Sequence, residues 1–171
     1  MDAVEAILSR RSIRRYETRQ VEEDKIQILI ECARHAPSAG NRQPWKFIVV
    51  RNPEVRQQLA HAAFDQDHVR EAPVVIVICC DPELSAARYE DRGRTLYAFQ
   101  DTAAACENIL VAAHALGLGG CWIGAFKESE VRKILNLPSN LRPVAMTSIG
   151  YPAEEREPRN LRPPEDIVVH M

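Results

Sequence analysis

At 171 residues, with 46% hydrophobic and 27% charged content, the chain reads as one ordinary globular domain with a substantial core. A net charge of −2 argues against general nucleic-acid binding, and the longest apolar run, Val74 to Cys80, is far below the roughly 18 residues of a membrane span. Acids at Asp2 and Glu5 do not suit a secretory leader, and five cysteines without CxxC spacing read as buried reduced thiols, so a cytoplasmic protein without a metal site is expected.

Residues 2–10 predict a short helix with Val4, Ile7 and Leu8 on one face. A second helix, about 22–36, opens on Glu22, Glu23 and Asp24, where the helix dipole favours acids, and Pro37 stops it. Its Ile26, Leu29, Ile30 and Ala33 recur at helical spacing. A strand at 45–51 follows, then a helix from Pro53 towards His68, with Pro at a favoured first-turn position. The run APVVIVICCD is a strand apolar on both faces, as in a sheet covered on both sides. Residues 82–94 are polar and read as part helix, part loop.

The longest helical pattern runs from Leu96 to Leu116. Between Ala103 and Leu116 it is apolar nearly all round, interrupted by Glu107, Asn108 and His114. Such a helix belongs at the centre of something larger than its own domain, or in a subunit interface. Gly117 supplies its end. A strand or turn at 121–126, a helix at about 128–136 and a strand at 143–150 complete the core. The last 20 residues hold four prolines yet end in the strand-forming triplet Ile167, Val168 and Val169. They read either as a strand seeking an edge, such as a partner subunit's sheet, or as a frayed tail.

Three stretches carry chemistry. RRSIRRY, residues 10–16, crowds Arg10, Arg11, Arg14 and Arg15 beside Ser12, and guanidinium groups bind phosphate oxygens bidentately. A solvated basic helix end is the plainer reading of the same residues. APSAGNRQPW puts Ser38, Asn41 and Gln43, which both donate and accept, around Gly40, which suits a planar heteroaromatic ligand; a simple helix–strand connection is the alternative. ALGLGGCWIGAF holds four of the seven glycines, so the backbone there passes close to something. It has neither the spacing of a dinucleotide fingerprint nor the lysine of a phosphate-binding loop.

In this order, together with YAFQDTAAACENILVAAHA before the glycines and IGYPAEE near the end, these stretches resemble the nitroreductase family of flavoproteins over nearly the whole chain. The PSxxNxQPW loop and the GLGxCWIG turn are the most distinctive parts. The resemblance implies an α+β fold with a central, mostly antiparallel sheet flanked by helices. It implies a single domain over 1–171, a homodimer whose C-terminal arm, 152–171, is exchanged between subunits, and FMN bound in clefts at the subunit interface. Arg10, Arg11, Ser12 and Arg14 match the motif that holds the phosphate, ribityl chain and pyrimidine edge. Pro37, Ser38, Ala39, Asn41 and Gln43 match the loop that lies against the flavin from the other subunit. Gly119 and Gly120 match the turn beside the isoalloxazine ring. Arg162 matches the basic residue that approaches the phosphate, although Asn160 stands where a lysine often precedes it.

The activity so implied is hydride transfer from NADH or NADPH through FMN to an electron-poor small molecule, such as a nitroaromatic or a quinone. No side chain has to act as a nucleophile, so no catalytic residue is assigned; Arg14 is the candidate for positive charge at the pyrimidine edge. Residues 82–97 form a shorter segment than the one many family members place over the flavin. Two other readings share the FMN contacts: a different flavin reaction (reductive dehalogenation or flavin fragmentation), and a flavin-binding or storage protein without turnover.

Overall fold

The computed structural model describes all 171 residues. Its centre is a four-stranded antiparallel sheet in the order β1-β2-β4-β3. The strands are β1 (Trp45–Val50), β2 (Val74–Cys80), β3 (Gly119–Ile123) and β4 (Arg142–Gly150). The helices are α1 (Ala3–Ser9), α2 (Glu23–Arg34), α3 (Pro53–Ala62), α4 (Asp67–Glu71), α5 (Pro82–Arg92), α6 (Ala98–Ala115) and α7 (Glu128–Ile134).

Every residue of β2 is buried, and its side chains alternate between two cores. Val74, Ile76 and Ile78 face Leu29 and Ala33 of α2 and Ala105, Ile109 and Ala113 of α6. Val75, Val77 and Cys79 face Leu59 of α3, Val69 of α4 and Val131 of α7. The unbroken apolar run is therefore what a strand between two helical layers requires. α6 is apolar around most of its circumference because the sheet lies on one side and α2 on another, which leaves Ala103 and Ala115 exposed. No helix is long and apolar enough to cross a membrane. Four of the five cysteines are buried, Cys32 is half-buried, and none is bonded to another.

The structure corrects several expectations. The helix from Pro53 towards His68 is two helices. Phe64 and Asp65 both have φ of 58°, and the Asp65 N–H bonds back to the Ala60 carbonyl at 2.9 Å, closing α3 in the left-handed manner of a helix end. Residues 82–92 are helical, capped by the Asp81 carboxylate and opened by Pro82, with a kink at Glu90 (φ 51°), and a π-helical turn, Gly93–Tyr97, joins them to α6. β3 starts at Gly119 rather than 121. Ile167 to Val169 follow a single 3₁₀ turn and form no strand; all three side chains are exposed.

Candidate functional site

The arginine-rich segment begins where α1 ends. The Arg10 N–H closes the helix on the Ala6 carbonyl, and the Arg11 guanidinium caps the carbonyls of Leu8 and Arg10, both at 2.9 Å. The chain then runs extended. Ser12 bridges Gly120 in parallel, and the Ile13 N–H donates to the Gly120 carbonyl at 3.0 Å. A Cβ on Gly119 would lie 2.7 Å from the Ile13 side chain, and one on Gly120 would lie 2.9 Å from Ile149 and Leu110. The close approach signalled by these glycines is therefore the cofactor-motif segment and the core of the same chain. On the other side, the Glu154 carboxylate accepts from the N–H groups of Arg14 and Arg15, at 2.6 and 3.2 Å. Burial pushes its pKa up, but those bonds together with the Arg156 guanidinium, 2.8 Å away, outweigh it, so Glu154 sits below the usual carboxylate range.

The guanidinium groups remain under-used. Arg10, whose side chain is 12% exposed, has Nε 3.3 Å from the Glu107 carboxylate without hydrogen-bond alignment. The Nε atoms of Arg10 and Arg11 are buried with no hydrogen-bond partner, and the Arg14 side chain forms no ion pair. Two buried orphan donors, a free guanidinium and the Ser12 hydroxyl form a donor set that fits a phosphate-bearing ligand.

The second group is the loop from Pro37 to Gln43. Gly40 and Asn41 have φ of 55° and Gln43 of 50°, so three of the loop's residues are left-handed, with Arg42 between them right-handed. The Ser38 hydroxyl accepts from the Gln43 N–H at 3.0 Å, and the Gln43 amide donates to the Asn41 side chain at 3.2 Å. Ala39 is held by Asp101 of α6, 7% exposed, whose carboxyl burial pushes towards the neutral form while the Ala39 N–H pulls it back. A Cβ on Gly40 would lie 2.6 Å from the Tyr89 hydroxyl of α5, so α5 packs directly on this loop.

Arg10, Arg11, Ser12, Arg14, Gly119 and Gly120 thus form one group, and Pro37, Ser38, Ala39, Asn41 and Gln43 another. No hydrogen bond or ion pair joins them. They attach to α6 at Glu107 and Asp101, about 9 Å apart along the helix axis. Arg162 reaches neither; it donates to the Asp166 carbonyl at 3.0 Å. Of the tail, Glu154 holds the Arg14 N–H as described, and Arg159 lies 3.5 Å from the Arg10 carbonyl. Sequence reasoning missed Asp101, Glu154 and Arg159. The one available signal was a lone acid opening the apolar helix.

The model of the "Nitroreductase family" matches residues 7–66 and 60–151. The chain belongs to the nitroreductase family. Among relatives of this nitroreductase-family chain, a Thermus thermophilus protein named NADH dehydrogenase is 37% identical, covering 99% of this chain and 96% of its own. The Vibrio harveyi NADPH-flavin oxidoreductase is 30% identical over 99% of this chain and 73% of its own. The crystal structure of a nitroreductase family protein from Streptococcus pneumoniae superposes with a TM-score of 0.91 at 26% identity, covering 99% of this chain and 100% of that one.

Proposed function

We propose that the protein is an FMN-dependent oxidoreductase that carries reducing equivalents from NADH or NADPH to an electron-poor small molecule such as a nitroaromatic or a quinone. The observation that carries this reading is the pair of buried Nε donors of Arg10 and Arg11 that form no hydrogen bond, beside Ser12 and Arg14, although Arg10 Nε lies 3.3 Å from the Glu107 carboxylate. Buried donors are hydrogen-bonded almost without exception, so these two point to an acceptor brought by a ligand. The names of the Thermus and Vibrio relatives support the same chemistry.

Arg10, Arg11 and Ser12 would hold the phosphate and ribityl chain, with Arg14 at the pyrimidine edge. The loop at Ser38, Asn41 and Gln43 would lie against the ring, and Gly119 and Gly120 would seat the arginine segment rather than touch the flavin through space of their own. When bound, the flavin supplies the two-electron redox chemistry and the protein supplies orientation and charge. The two groups do not meet within one chain, which supports a site completed between two copies. The exposed Val4, Ile7 and Leu8 of α1 and the exposed Leu161, Ile167 and Val168 of the tail support a homodimer with an embracing arm, 152–171. The unpaired thiols suit the cytoplasm.

The test is to release the cofactor by heat, identify it by chromatography, and measure steady-state reduction of an acceptor panel with NADH and with NADPH. FMN with nicotinamide-dependent turnover is expected. FAD, or no flavin after reconstitution, would overturn the cofactor; bound FMN without turnover would make the protein a carrier. Sedimentation equilibrium decides the dimer.

A further inference from the structure

Behind the arginine segment runs a line of polar contacts that ends on its backbone. Gln66, in the break between α3 and α4, faces His68 (Oε1 to Nε2, 3.2 Å). His68, 7% exposed, faces the fully buried Ser148 of β4 (Nδ1 to Oγ, 3.1 Å). Ser148 faces Tyr16 (Oγ to Oη, 2.8 Å), and Tyr16 Oη lies 2.6 Å from the Ile13 carbonyl. The ring of Tyr16 is seated against Gly150, where a Cβ would lie 2.8 Å from it.

The protons in this line can be counted, because each contact needs one. At the Ile13 end the proton is Tyr16's, since a carbonyl only accepts. Burial pushes the phenol's pKa far up, so it keeps that proton. Tyr16 then accepts from Ser148, and Ser148 from a His68 Nδ1–H. At the other end Gln66 donates its amide protons to the carbonyls of Ala63 and Ala125, at 2.9 and 3.2 Å. That turns its oxygen towards His68 and calls for an Nε2–H as well. A neutral imidazole has one N–H and the line needs two.

We infer that His68 is a positioning residue for the segment proposed to hold the flavin phosphate, and that the line from Gln66 to Ile13 is completed when His68 takes up a proton, so that FMN binding draws one in from solvent. The inference rests on the FMN reading above. Burial opposes the charged imidazole first, Arg14 opposes it next, and Glu154 favours it. On His68's own helix, Asp67 and Arg70 are paired with each other. A phosphate held by Arg10, Arg11 and Ser12 on the same segment offsets the field of Arg14, the one cation that disfavours imidazolium, which is the physical link between the two events. By reciprocity, protonation tightens FMN binding by the factor by which FMN favours protonation.

The experiment is calorimetric titration of FMN into the apo-protein in two buffers of different ionisation enthalpy, with wild type, His68→Gln and Ser148→Ala, alongside nitrogen-15 NMR of the His68 ring. Wild type should take up protons on binding while His68 moves towards imidazolium, and both variants should lose that uptake. Relative to His68→Gln, wild-type affinity should gain about tenfold on going from pH 8 to pH 6. Phosphate ionisation alone releases protons on binding, because guanidinium groups prefer the dianion, so the sign separates the sources. Absence of uptake in wild type, or equal uptake in either variant, overturns the inference. Failure of wild type to bind FMN would instead overturn the cofactor reading. The His68 titration is then followed with inorganic phosphate as the anion, and an unmoved midpoint would sink the proton line.

Discussion

Both carboxylate oxygens of Asp101 lie within 3.2 Å of the Ala39 backbone nitrogen, tying the loop at 37–43 to the first turn of the longest helix. The partners are 62 residues apart in the chain. Asp101→Ala leaves a part-buried N–H without its charged acceptor, which costs about 1–3 kcal/mol. Denaturant unfolding should show that loss, and amide exchange at Ala39 should accelerate more than exchange in α6. Asp101→Asn, which keeps one acceptor oxygen, should recover part of both.

Arg10→Ala should weaken FMN binding about tenfold or more, the equivalent of one charge-assisted contact of roughly 1.5–3 kcal/mol. Arg14→Ala should weaken it too and lower the flavin midpoint potential, because positive charge at the pyrimidine edge stabilises the reduced form. Arg15→Ala should change little, since its neighbourly role, the N–H bonded to Glu154, belongs to the backbone. Titration of FMN into the three apo-variants, with potentials measured on each, checks the set; equal small effects would remove the cluster from the cofactor site.

Gly119→Ala places a methyl 2.7 Å from Ile13 Cβ, which is close to the backbone and cannot swing away. Overpacking of this kind costs about 1–3 kcal/mol. Gly117 has open space but φ of 74°, so Gly117→Ala should cost about 1 kcal/mol from backbone strain alone. Thermal unfolding of both variants, with FMN affinity measured alongside, should show that only the Gly119 change also loosens the cofactor segment.

Glu22 accepts from the Tyr151 hydroxyl at 2.6 Å, its strongest support, and also from Arg19, which lowers its pKa from 4.5 to about 2. A depressed carboxylate stabilises the fold above its unfolded pKa and loses that contribution as pH falls through the folded value. Wild type should therefore be more stable than Tyr151→Phe at neutral pH, and the gap should narrow between pH 4.5 and about 2. Urea midpoints across that range decide the matter; a gap independent of pH would remove Glu22 from the account.

The sequence was most legible where local pattern and tertiary role coincide. The run Val74 to Cys80 has no polar side, and neither face of β2 meets solvent. The α3–α4 break was hidden because Phe64 carries no sign of the left-handed conformation that glycine or asparagine would announce. α5 was obscured by its exposed polar surface, although Asp81 and Pro82 mark its start. In the site, the arginines and the PSxxNxQPW loop stood out as clusters. Asp101 and Glu154 did not, because each acts on backbone N–H groups more than 60 residues away, and spacing carries no trace of that.

The Glu154 clamp on Arg14 spans 140 residues, and β4, which holds Ser148, occupies the middle of the sheet. At about 5–20 residues per second of synthesis, the arginine segment leaves the ribosome roughly 7–30 seconds before the residues that seat it exist. The segment proposed to hold the flavin phosphate is thus among the first made and the last secured. A nascent chain cut short before Arg142 would expose the bare edge of β2 to its neighbours, with no means of capturing FMN to rescue it.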